Sequence, residues 1–217
     1  MEYINQIICG DCLEVMKEIP DKSIDLVVTD PPYGISYLSN YYKYNNPHSK
    51  IINDDKLFID IDECWRILKP TGSLFVFYSQ KNPLVDKRIK NIIIWVKNNW
   101  TAGDLFGDFG NQYECIAFMP KECFKLKSRR YSNVWEFKRE IPKHHPTQKP
   151  VSIIERIIES STNKNDIVFD PFLGSGTTAV ACKELGRRYI GIEISPEYCE
   201  IARNRLKAIP ELLFRST

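Results

Sequence analysis

Residues 166–194 read DIVFDPFLGSGTTAVACKELGRRYIGIEI, and this stretch decides the fold class. It opens with the short apolar run Asp166–Phe169, which is typical of a buried strand. A glycine-rich turn follows, and the chain then predicts a helix over Thr177–Leu185 that Gly186 is placed to end. The next run, Arg188–Ile194, predicts a second strand. A strand, a helix and a second strand in this order indicate an α/β domain with a mainly parallel sheet.

The same alternation of strands and helices extends over the rest of the chain. Five further strands are predicted from short apolar runs: Ile4–Cys9, Ile24–Thr29, Ser73–Tyr78, Ile92–Lys97 and Tyr113–Met119. Five further helices are predicted from helical patterns and their stop or start residues: Leu13–Glu18, Leu57–Leu68, Asn82–Lys90, Val151–Ser160 and Glu197–Ala208. We expect residues 1–217 to form a single domain.

The composition excludes several classes of protein. Of the 217 residues, 43% are hydrophobic and 27% are charged, which excludes a disordered or fibrous chain. The apolar runs are too short to span a bilayer, and the start MEYINQIICGD lacks the pattern of a signal peptide. We therefore expect a cytoplasmic protein without a membrane partner. The net charge of +2 is too small to indicate a nucleic-acid partner by itself.

The cysteines do not predict a disulfide framework or a metal site. There are seven, an odd number, scattered over a chain of moderate length. Cys9 and Cys12 have the C-x-x-C spacing of redox centres and of half a zinc site, but no second such pair is present. We therefore expect no metal, and we interpret the pair as two small side chains at a strand end. A redox protein built on this pair is the weakest alternative function.

The glycine-rich turn predicts a site for an adenosine-type ligand. The spacing Gly174-x-Gly176-x-x-Ala179 between a strand and a helix matches the fingerprint of a dinucleotide-binding turn. Glu193 ends the next strand, where its carboxylate can accept hydrogen bonds from both ribose hydroxyls. A P-loop is excluded because no Gly-Lys-Ser/Thr follows. Only about forty residues remain after the turn, too few for the rest of a dinucleotide-binding oxidoreductase.

A second motif, Asp30-Pro31-Pro32-Tyr33, follows the apolar run Ile24–Thr29. Two consecutive prolines fix an extended backbone at the carboxyl end of a strand, where ligands bind in open α/β sheets. The motif holds a carboxylate, a carbonyl and an aromatic ring in one rigid arrangement. Asp30 and the Pro31 carbonyl could accept the two N–H bonds of an exocyclic amine, and Tyr33 could stack on the base. A strand end that is merely stiffened by proline is the structural alternative.

Together these motifs resemble those of the β class of DNA amino-methyltransferases, which transfer a methyl group from S-adenosylmethionine to adenine N6 or cytosine N4. DPPY at 30–33, HPTQKP at 145–150 and DPFLGSGTT at 170–178 stand in the order of that family, with the cofactor motif after the catalytic motif. The three motifs extend over nearly the whole chain. The chain departs from the family pattern in size, because the target-recognition region is at most a short basic segment and loops.

The resemblance implies an S-adenosylmethionine-dependent methyltransferase fold: a mainly parallel seven-stranded sheet with helices on both faces and a circularly permuted motif order. It implies S-adenosylmethionine as cofactor, S-adenosylhomocysteine as product and no metal. The catalytic residues implied are Asp30, Pro31, Pro32 and Tyr33. The cofactor-binding residues implied are Asp11, Cys12, Asp30, Thr147, Gln148, Lys149, Asp170, Phe172, Gly174, Ser175, Gly176, Thr177, Glu193 and Ile194.

Within this set the resemblance gives particular residues particular parts of the cofactor. Asp11 and Cys12 would lie against its adenine, and Glu193 would bind its ribose. Lys149, with Thr147 and Gln148, would bind its methionine carboxylate, for which a cation is electrostatically suited. A solvated lysine in a turn is the structural alternative for Lys149. We assign no catalytic role to the histidines of this segment, His144 and His145.

The expected substrate is adenine in double-stranded DNA, flipped out of the helix so that Tyr33 can stack on it. Adenine N6 is preferred to cytosine N4 because Asp30 opens the motif, whereas cytosine enzymes of the family more often begin it with serine. The amine nitrogen would lose its proton to Asp30 or to water. An RNA or protein amide target is less favoured. A non-catalytic DNA-binding regulator is the alternative from another class, and it would be expected to carry a damaged motif.

Three further expectations concern partners. The loop Ser36–Lys56, rich in tyrosine, is either a lid over the site or a mobile surface loop. The segment Lys121–Lys143 is basic and interspersed with aromatic residues, and it is the expected phosphate-contacting surface; a solvated charged face is the alternative. A homodimer is a hypothesis, because so small an enzyme covers little DNA.

Overall fold

The computed structural model describes residues 2–32, 59–99, 107, 109–138 and 148–209. The strands of this part of the chain are β1 Gln6–Cys9, β2 Ile24–Thr29, β3 Leu68–Tyr78, β4 Asn91–Val96, β5 Tyr113–Pro120, β6 Val134–Glu136, β7 Ile167–Asp170 and β8 Arg188–Glu193. Its helices are α1 Cys12–Glu18, α2 Ile61–Ile67, α3 Val151–Ser161, α4 Thr177–Glu184 and α5 Pro196–Ala208.

The strands form one sheet in the order β1-β8-β7-β2-β3-β5-β4-β6. All neighbouring strands are parallel except the two pairs that involve β5, which runs antiparallel to β3 and to β4. The predicted mainly parallel α/β sheet is therefore confirmed. The permuted order is visible in β1, which comes first in the chain and pairs with β8, the last strand.

The sheet contains eight strands rather than the seven expected. The additional strand is β6, which has three residues and lies within the basic segment Lys121–Lys143. It pairs with β4 through the register Trp95↔Trp135. A run of three residues is too short to show a strand period, so it could not be recognised from the sequence.

The predicted helix over Asn82–Lys90 is wrong. These residues form turns, and the side chain of Asp86 accepts a hydrogen bond from the amide of Arg88 at 2.8 Å. An aspartate side chain can accept a hydrogen bond from the backbone amide two residues later in the chain. This bond competes with the hydrogen bonds of a helix and favours a turn. The predicted helix Leu57–Leu68 is shorter in the structure, where α2 begins after its N-cap Asp60 and ends as Leu68 enters β3.

Helices cover both faces of the sheet, as expected. On one face, α1 and α2 contribute Met16 and Cys64 to a cluster with β2 and β3. On the other face, α3 buries four isoleucines against the sheet: Ile153, Ile154, Ile157 and Ile158. This spacing places the four on one side of a helix. Within the described part of the chain, no helix is long and apolar enough to cross a membrane.

Candidate active site

Three acidic residues lie at the carboxyl edge of the sheet. Asp30 follows β2, Asp170 is the last residue of β7 and Glu193 is the last residue of β8. Since β2, β7 and β8 are adjacent parallel strands, their carboxyl ends meet at one edge. The fold thus brings Asp30 of the predicted catalytic motif together with both parts of the predicted cofactor site, at the place where open α/β sheets bind ligands.

The glycine-rich turn favours glycine at two positions because of their backbone angles, and at one of them for a steric reason as well. Gly174 and Gly176 both adopt left-handed backbone angles, with φ of +55° and +88°. A Cβ on Gly176 would lie only 2.7 Å from the Cβ of Ala202 in α5, so the turn packs closely on that helix. A Cβ on Gly174 would meet nothing within 4 Å, so its side faces open space. The turn is therefore fixed on its α5 side and open at Gly174.

Glu193 is held by the backbone of the same turn. The amide of Gly174 donates to Oε2 of Glu193 at 2.8 Å, and the amide of Ser195 donates to Oε1 at 2.9 Å. Burial raises the pKa of the Glu193 carboxyl, although these two hydrogen bonds act to lower it. Each carboxylate oxygen can accept more than one hydrogen bond, so the group can also receive ligand hydroxyls.

Asp170 is a buried carboxyl at the start of the turn. The hydroxyl of Thr178 donates to its Oδ2 at 2.6 Å, and the amide of Phe172 donates to its Oδ1 at 3.0 Å. Burial raises the pKa of Asp170 to about 7, although both hydrogen bonds act in the opposite direction. Asp170 is thus the carboxyl of this site that titrates close to neutral pH.

Arg205 of α5 supports the turn, and the sequence analysis missed this residue. Its Nη1 donates to the carbonyl of Ser175 at 2.6 Å and lies within hydrogen-bond distance of the hydroxyls of Ser175 and Thr177. Ser175 and Thr177, both predicted to bind cofactor, are buried against this guanidinium. One arginine on a charged helix carries no sequence signal that separates it from a solvated one.

The segment that follows β1 lies beside Glu193, as predicted. Cys9 is in register with Glu193, and the amide of Gly10 donates to the Glu193 carbonyl at 3.0 Å. Asp11 is the N-cap of α1 and accepts from the amide of Leu13 at 2.9 Å. The adjacent Cys12 is buried, and burial raises the pKa of its thiol to about 11.

Such a thiol is almost entirely protonated at neutral pH, which disfavours redox chemistry at the C-x-x-C pair. Both cysteines are free thiols. Among the described residues, no group of three or more His, Cys, Asp or Glu side chains could hold a metal ion. On the other side of Glu193, the predicted cofactor residue Ile194 is largely exposed at the carboxyl edge.

Lys149 contacts the carboxylate of Asp30 directly. Its Nζ lies 2.7 Å from Oδ2 of Asp30 and 3.2 Å from Oε2 of Glu114. The Lys149 side chain is 7% exposed, and that of Asp30 is 24% exposed. Burial alone would lower the pKa of Lys149, but these two carboxylates raise it above its usual value. The lysine predicted to bind the cofactor is therefore ion-paired with the predicted catalytic carboxylate.

The ion pair continues to Lys97, at the end of β4. Oε1 of Glu114 lies 2.7 Å from Nζ of Lys97, which is 6% exposed. Burial alone would raise the pKa of Glu114, but Lys149 and Lys97 lower it to about 2. The sequence analysis missed Lys97 and Glu114, although a charge inside the apolar strand runs Ile92–Lys97 and Tyr113–Met119 was an available signal.

The remaining predicted site residues divide between the described and undescribed parts of the chain. Pro31 is buried and Pro32 half-buried directly after Asp30. The amide oxygen of Gln148 is buried and has no hydrogen-bond partner among the described residues. Tyr33, His144, His145, Thr147 and the loop Ser36–Lys56 lie outside the described residues.

The basic segment Lys121–Lys143 begins far from this site. Because β5 runs antiparallel to β3, it carries the chain to the amino edge of the sheet. There the backbone amide of Lys121 donates to the carbonyl of Gly72, and that of Lys127 to the carbonyl of Ser160. β6 then runs parallel to β4 and returns toward the carboxyl edge. Only the last described residues of the segment, Phe137 and Lys138, approach the edge that carries Asp30.

Aromatic side chains of this segment pack on Arg156 of α3. The guanidinium lies 4.4 Å from the ring centre of Phe137, 4.9 Å from that of Tyr131 and 5.5 Å from that of Trp135. Three rings around one guanidinium attach the segment to the core of the domain. These aromatic residues therefore have a structural role, whereas most of the basic side chains between them are exposed. DNA contact by the segment stays a prediction.

Comparisons with known proteins agree with this geometry. A family model described as DNA methylase matches residues 24–204. Type II methyltransferase M.HinfI of Haemophilus influenzae is 34% identical over 250 residues, covering 96% of this chain and 70% of that protein. DNA adenine methyltransferase YhdJ of Escherichia coli strain K12 is 34% identical, covering 92% of this chain and 82% of that protein.

Solved structures share the fold. The M1.HpyAVI–SAM complex superposes with a TM-score of 0.67 at 30% identity, covering 92% of this chain and 98% of that one. The cytosine-N4-specific PvuII DNA methyltransferase gives a TM-score of 0.72 at 18% identity, a likeness of fold alone. The chain belongs to the DNA methylase family and is an S-adenosylmethionine-dependent DNA amino-methyltransferase of the β class. The resemblance predicted from the three motifs is thereby confirmed.

Proposed function

We propose that this enzyme transfers a methyl group from S-adenosylmethionine to the N6 amine of adenine in double-stranded DNA. The observation that carries the proposal is the carboxylate of Asp30, which is held at the carboxyl end of β2 by the buried ammonium of Lys149. The choice of adenine rests on the aspartate that opens the motif. It is supported by the similarity to YhdJ, a DNA adenine methyltransferase.

The residues of the carboxyl edge fit the cofactor. The turn at Gly174 leaves open space next to Glu193, whose carboxylate suits two ribose hydroxyls. The buried, unpaired amide oxygen of Gln148 requires a hydrogen-bond donor, and the polar end of a bound cofactor would supply one. When bound, the cofactor supplies a methyl group activated on a sulfonium. We propose that Asp11 and Cys12, which lie beside Glu193, contact its adenine, and that Ile194 also contributes to cofactor binding.

Further cofactor contacts are proposed for the rest of the predicted set: Asp30, Thr147, Lys149, Asp170, Phe172, Ser175, Gly176 and Thr177. The carboxyl of Asp170 could pair with an ammonium group of the ligand, which would favour the ionised form of Asp170. Lys149 bridges two carboxylates of the protein, so its contact with the methionine carboxylate remains a prediction.

The chemistry requires an aromatic amine to act as nucleophile although its lone pair is delocalised into the ring. Asp30 and the Pro31 carbonyl would each accept one N–H bond, which favours a tetrahedral nitrogen and directs its lone pair toward the methyl carbon. The leaving group is a neutral thioether and needs no acid. Catalysis therefore consists mainly of positioning and electrostatic preorganisation. The proton shed after transfer goes to Asp30 or to water.

The target amine is paired inside the DNA helix, so we propose that the base is flipped out and stacks on Tyr33. DNA would approach the carboxyl edge of the sheet. Among the described residues of the basic segment, Lys138 is the one best placed to reach it. The loop Ser36–Lys56 is proposed as a lid, and a homodimer as the means of covering more DNA.

The identity of the base is tested by nucleoside analysis. Unmethylated genomic DNA is incubated with the protein and S-adenosylmethionine, digested to nucleosides and analysed by mass spectrometry. We expect N6-methyladenine. Detection of N4-methylcytosine would retain the mechanism and overturn the choice of base. If the protein binds the cofactor and yet produces no methylated base, DNA is not its substrate.

A further inference from the structure

Lys97 is a buried and Glu114 a half-buried charged residue, and the methyl-transfer step uses neither. Lys97 directly follows β4 and Glu114 lies in its antiparallel neighbour β5; the amide of Lys97 donates to the carbonyl of Gln112 at 2.8 Å. The Glu114 side chain is 20% exposed. Buried charges cost free energy unless they are paired, so their presence at this edge requires an explanation.

The two residues belong to a larger group of alternating charges. Lys97, Glu114, Lys149 and Asp30 form a continuous chain of ion pairs with N–O distances of 2.7, 3.2 and 2.7 Å. Cations and anions alternate along the chain, and its net charge is zero. It begins inside the sheet and ends on the carboxylate proposed to accept the amine.

We propose that Glu114 and Lys97 are positioning residues for Asp30. Glu114 holds the Lys149 ammonium as a second carboxylate beside Asp30, and Lys97 balances the charge of Glu114. A lysine side chain has four rotatable bonds, and two carboxylates at its end restrict it far more than one. The orientation of Asp30 therefore depends on residues that touch neither the base nor the cofactor. This inference rests on the proposed methyl transfer at Asp30.

Charge balance gives the chain a second effect. The cofactor is a sulfonium cation, and the amine becomes cationic as it takes the methyl group. Within this chain of four residues, removing the negative charge of Glu114 would leave two buried ammonium groups against one carboxylate, in the ion-pair chain that ends at the proposed site of this developing positive charge. Loss of the Glu114 charge should therefore destabilise the transition state more than it weakens the binding of S-adenosylhomocysteine, which carries no sulfonium charge.

The test uses Glu114→Gln, Lys97→Met and the double variant, with Glu159→Gln on the exposed side of α3 as control. Single-turnover methylation of DNA, KM for DNA, affinity for S-adenosylhomocysteine by calorimetry and melting temperature are measured for each. We expect Glu114→Gln to slow methyl transfer by about ten- to a hundred-fold, while KM and product affinity change by less than about threefold. The control should match the wild type.

The double variant separates positioning from general stability. Removing Lys97 together with Glu114 restores a balanced Lys149–Asp30 pair, so the double variant should be faster than Glu114→Gln alone. If Glu114→Gln fails to fold, Glu114→Asp replaces it, because this change keeps the charge and only withdraws the carboxylate from Lys149. We then expect a slower methyl transfer at a melting temperature close to that of the wild type.

Two results would overturn the inference: a wild-type rate in the Glu114 variant, or losses of rate, product affinity and melting temperature in parallel without recovery in the double variant. Failure of the proposed function looks different. In that case the wild-type protein itself methylates no DNA, and the inference falls with it.

Discussion

The ammonium of Lys149 lies 2.7 Å from Oδ2 of Asp30, a contact between residues 119 positions apart. It joins the segment HPTQKP to the segment DPPY, which the sequence presents as two separate motifs. The cation was predicted to bind the cofactor, and the structure places it on the carboxylate proposed to receive the amine. The two motifs are thus parts of one electrostatic unit.

Replacing Lys149 by methionine should therefore damage both stability and activity. The change leaves the carboxylates of Asp30 and Glu114 close together without the cation between them. Loss of one partner from a buried ion pair costs about 3–5 kcal/mol. We expect a clearly lower melting temperature and a methylation rate reduced by about a hundred-fold or more. Lys207→Met, at an exposed site in α5, is the control, and an active, stable Lys149→Met protein would refute the role of the pair.

The glycines of the turn allow a matched comparison of steric and conformational effects. Gly176→Ala introduces a Cβ 2.7 Å from that of Ala202 in addition to left-handed strain. Gly186→Ala carries the strain alone, because nothing lies within 4 Å of its Cβ; such strain costs about 1–2 kcal/mol. We expect Gly176→Ala to have the lower free energy of unfolding in urea. Equal losses of unfolding free energy in the two variants would show that α5 shifts to make room for the new methyl group.

Gly174→Ala has the strain of Gly186→Ala, but its new methyl group points into the open space beside Glu193. Its stability should match that of Gly186→Ala, whereas its affinity for S-adenosylmethionine should fall and that of Gly186→Ala should not. Calorimetric titration measures both affinities. Unchanged binding by Gly174→Ala would place the cofactor elsewhere.

Asp170 should make stability depend on pH in a defined direction. Burial raises the pKa of its carboxyl in the folded protein to about 7, from the usual value of 3.8. The folded state therefore binds the proton more tightly than the unfolded state, so this group's contribution to stability falls as pH rises from about 4 to about 7. Asp170→Asn cannot ionise and should stabilise the protein relative to the wild type more at pH 8 than at pH 5. Melting temperatures at both pH values test this, and an equal effect at the two would contradict a shifted Asp170.

The path of the basic segment predicts which charges matter for DNA. Lys138 lies where β6 has returned toward the carboxyl edge, whereas Lys127 lies at the amino edge beside Ser160. Lys138→Ala should weaken DNA binding and reduce its dependence on salt, while Lys127→Ala should do so less. Binding isotherms at several salt concentrations decide between the two positions. A stronger effect at Lys127 would move the DNA surface to the amino edge.

Much of the fold could be predicted because proline, glycine and capping residues mark its boundaries. β2 spans Ile24–Thr29 as predicted, since Asp30-Pro31 ends the apolar run. α4 begins at Thr177 and is followed by Gly186 with φ of +68°, as its sequence indicates. The helix predicted over Asn82–Lys90 does not form, and the side chain of Asp86 bonds the local backbone instead.

The parts of the site that are formed by residues close together in the sequence could be predicted. The parts that are formed by residues distant in the sequence could not. Gly174 and Gly176 belong to one local turn, so their spacing is visible. The contact between Lys97 and Glu114 depends on the antiparallel pairing of β4 with β5, and that of Lys149 with Asp30 on the closing of the whole domain. No local pattern encodes either distance.

The carboxylate of Asp30 is proposed to orient the target amine for methyl transfer, and the transfer rate of Asp30→Asn is the decisive measurement of this role. Single-turnover transfer of radiolabelled methyl from S-adenosylmethionine to DNA is followed for the wild-type protein and for Asp30→Asn, with cofactor affinity measured on the same samples. We predict N6-methyladenine from the wild type, and in the variant a rate lower by about a hundred-fold or more with the cofactor still bound. Transfer by Asp30→Asn at the wild-type rate would contradict the account.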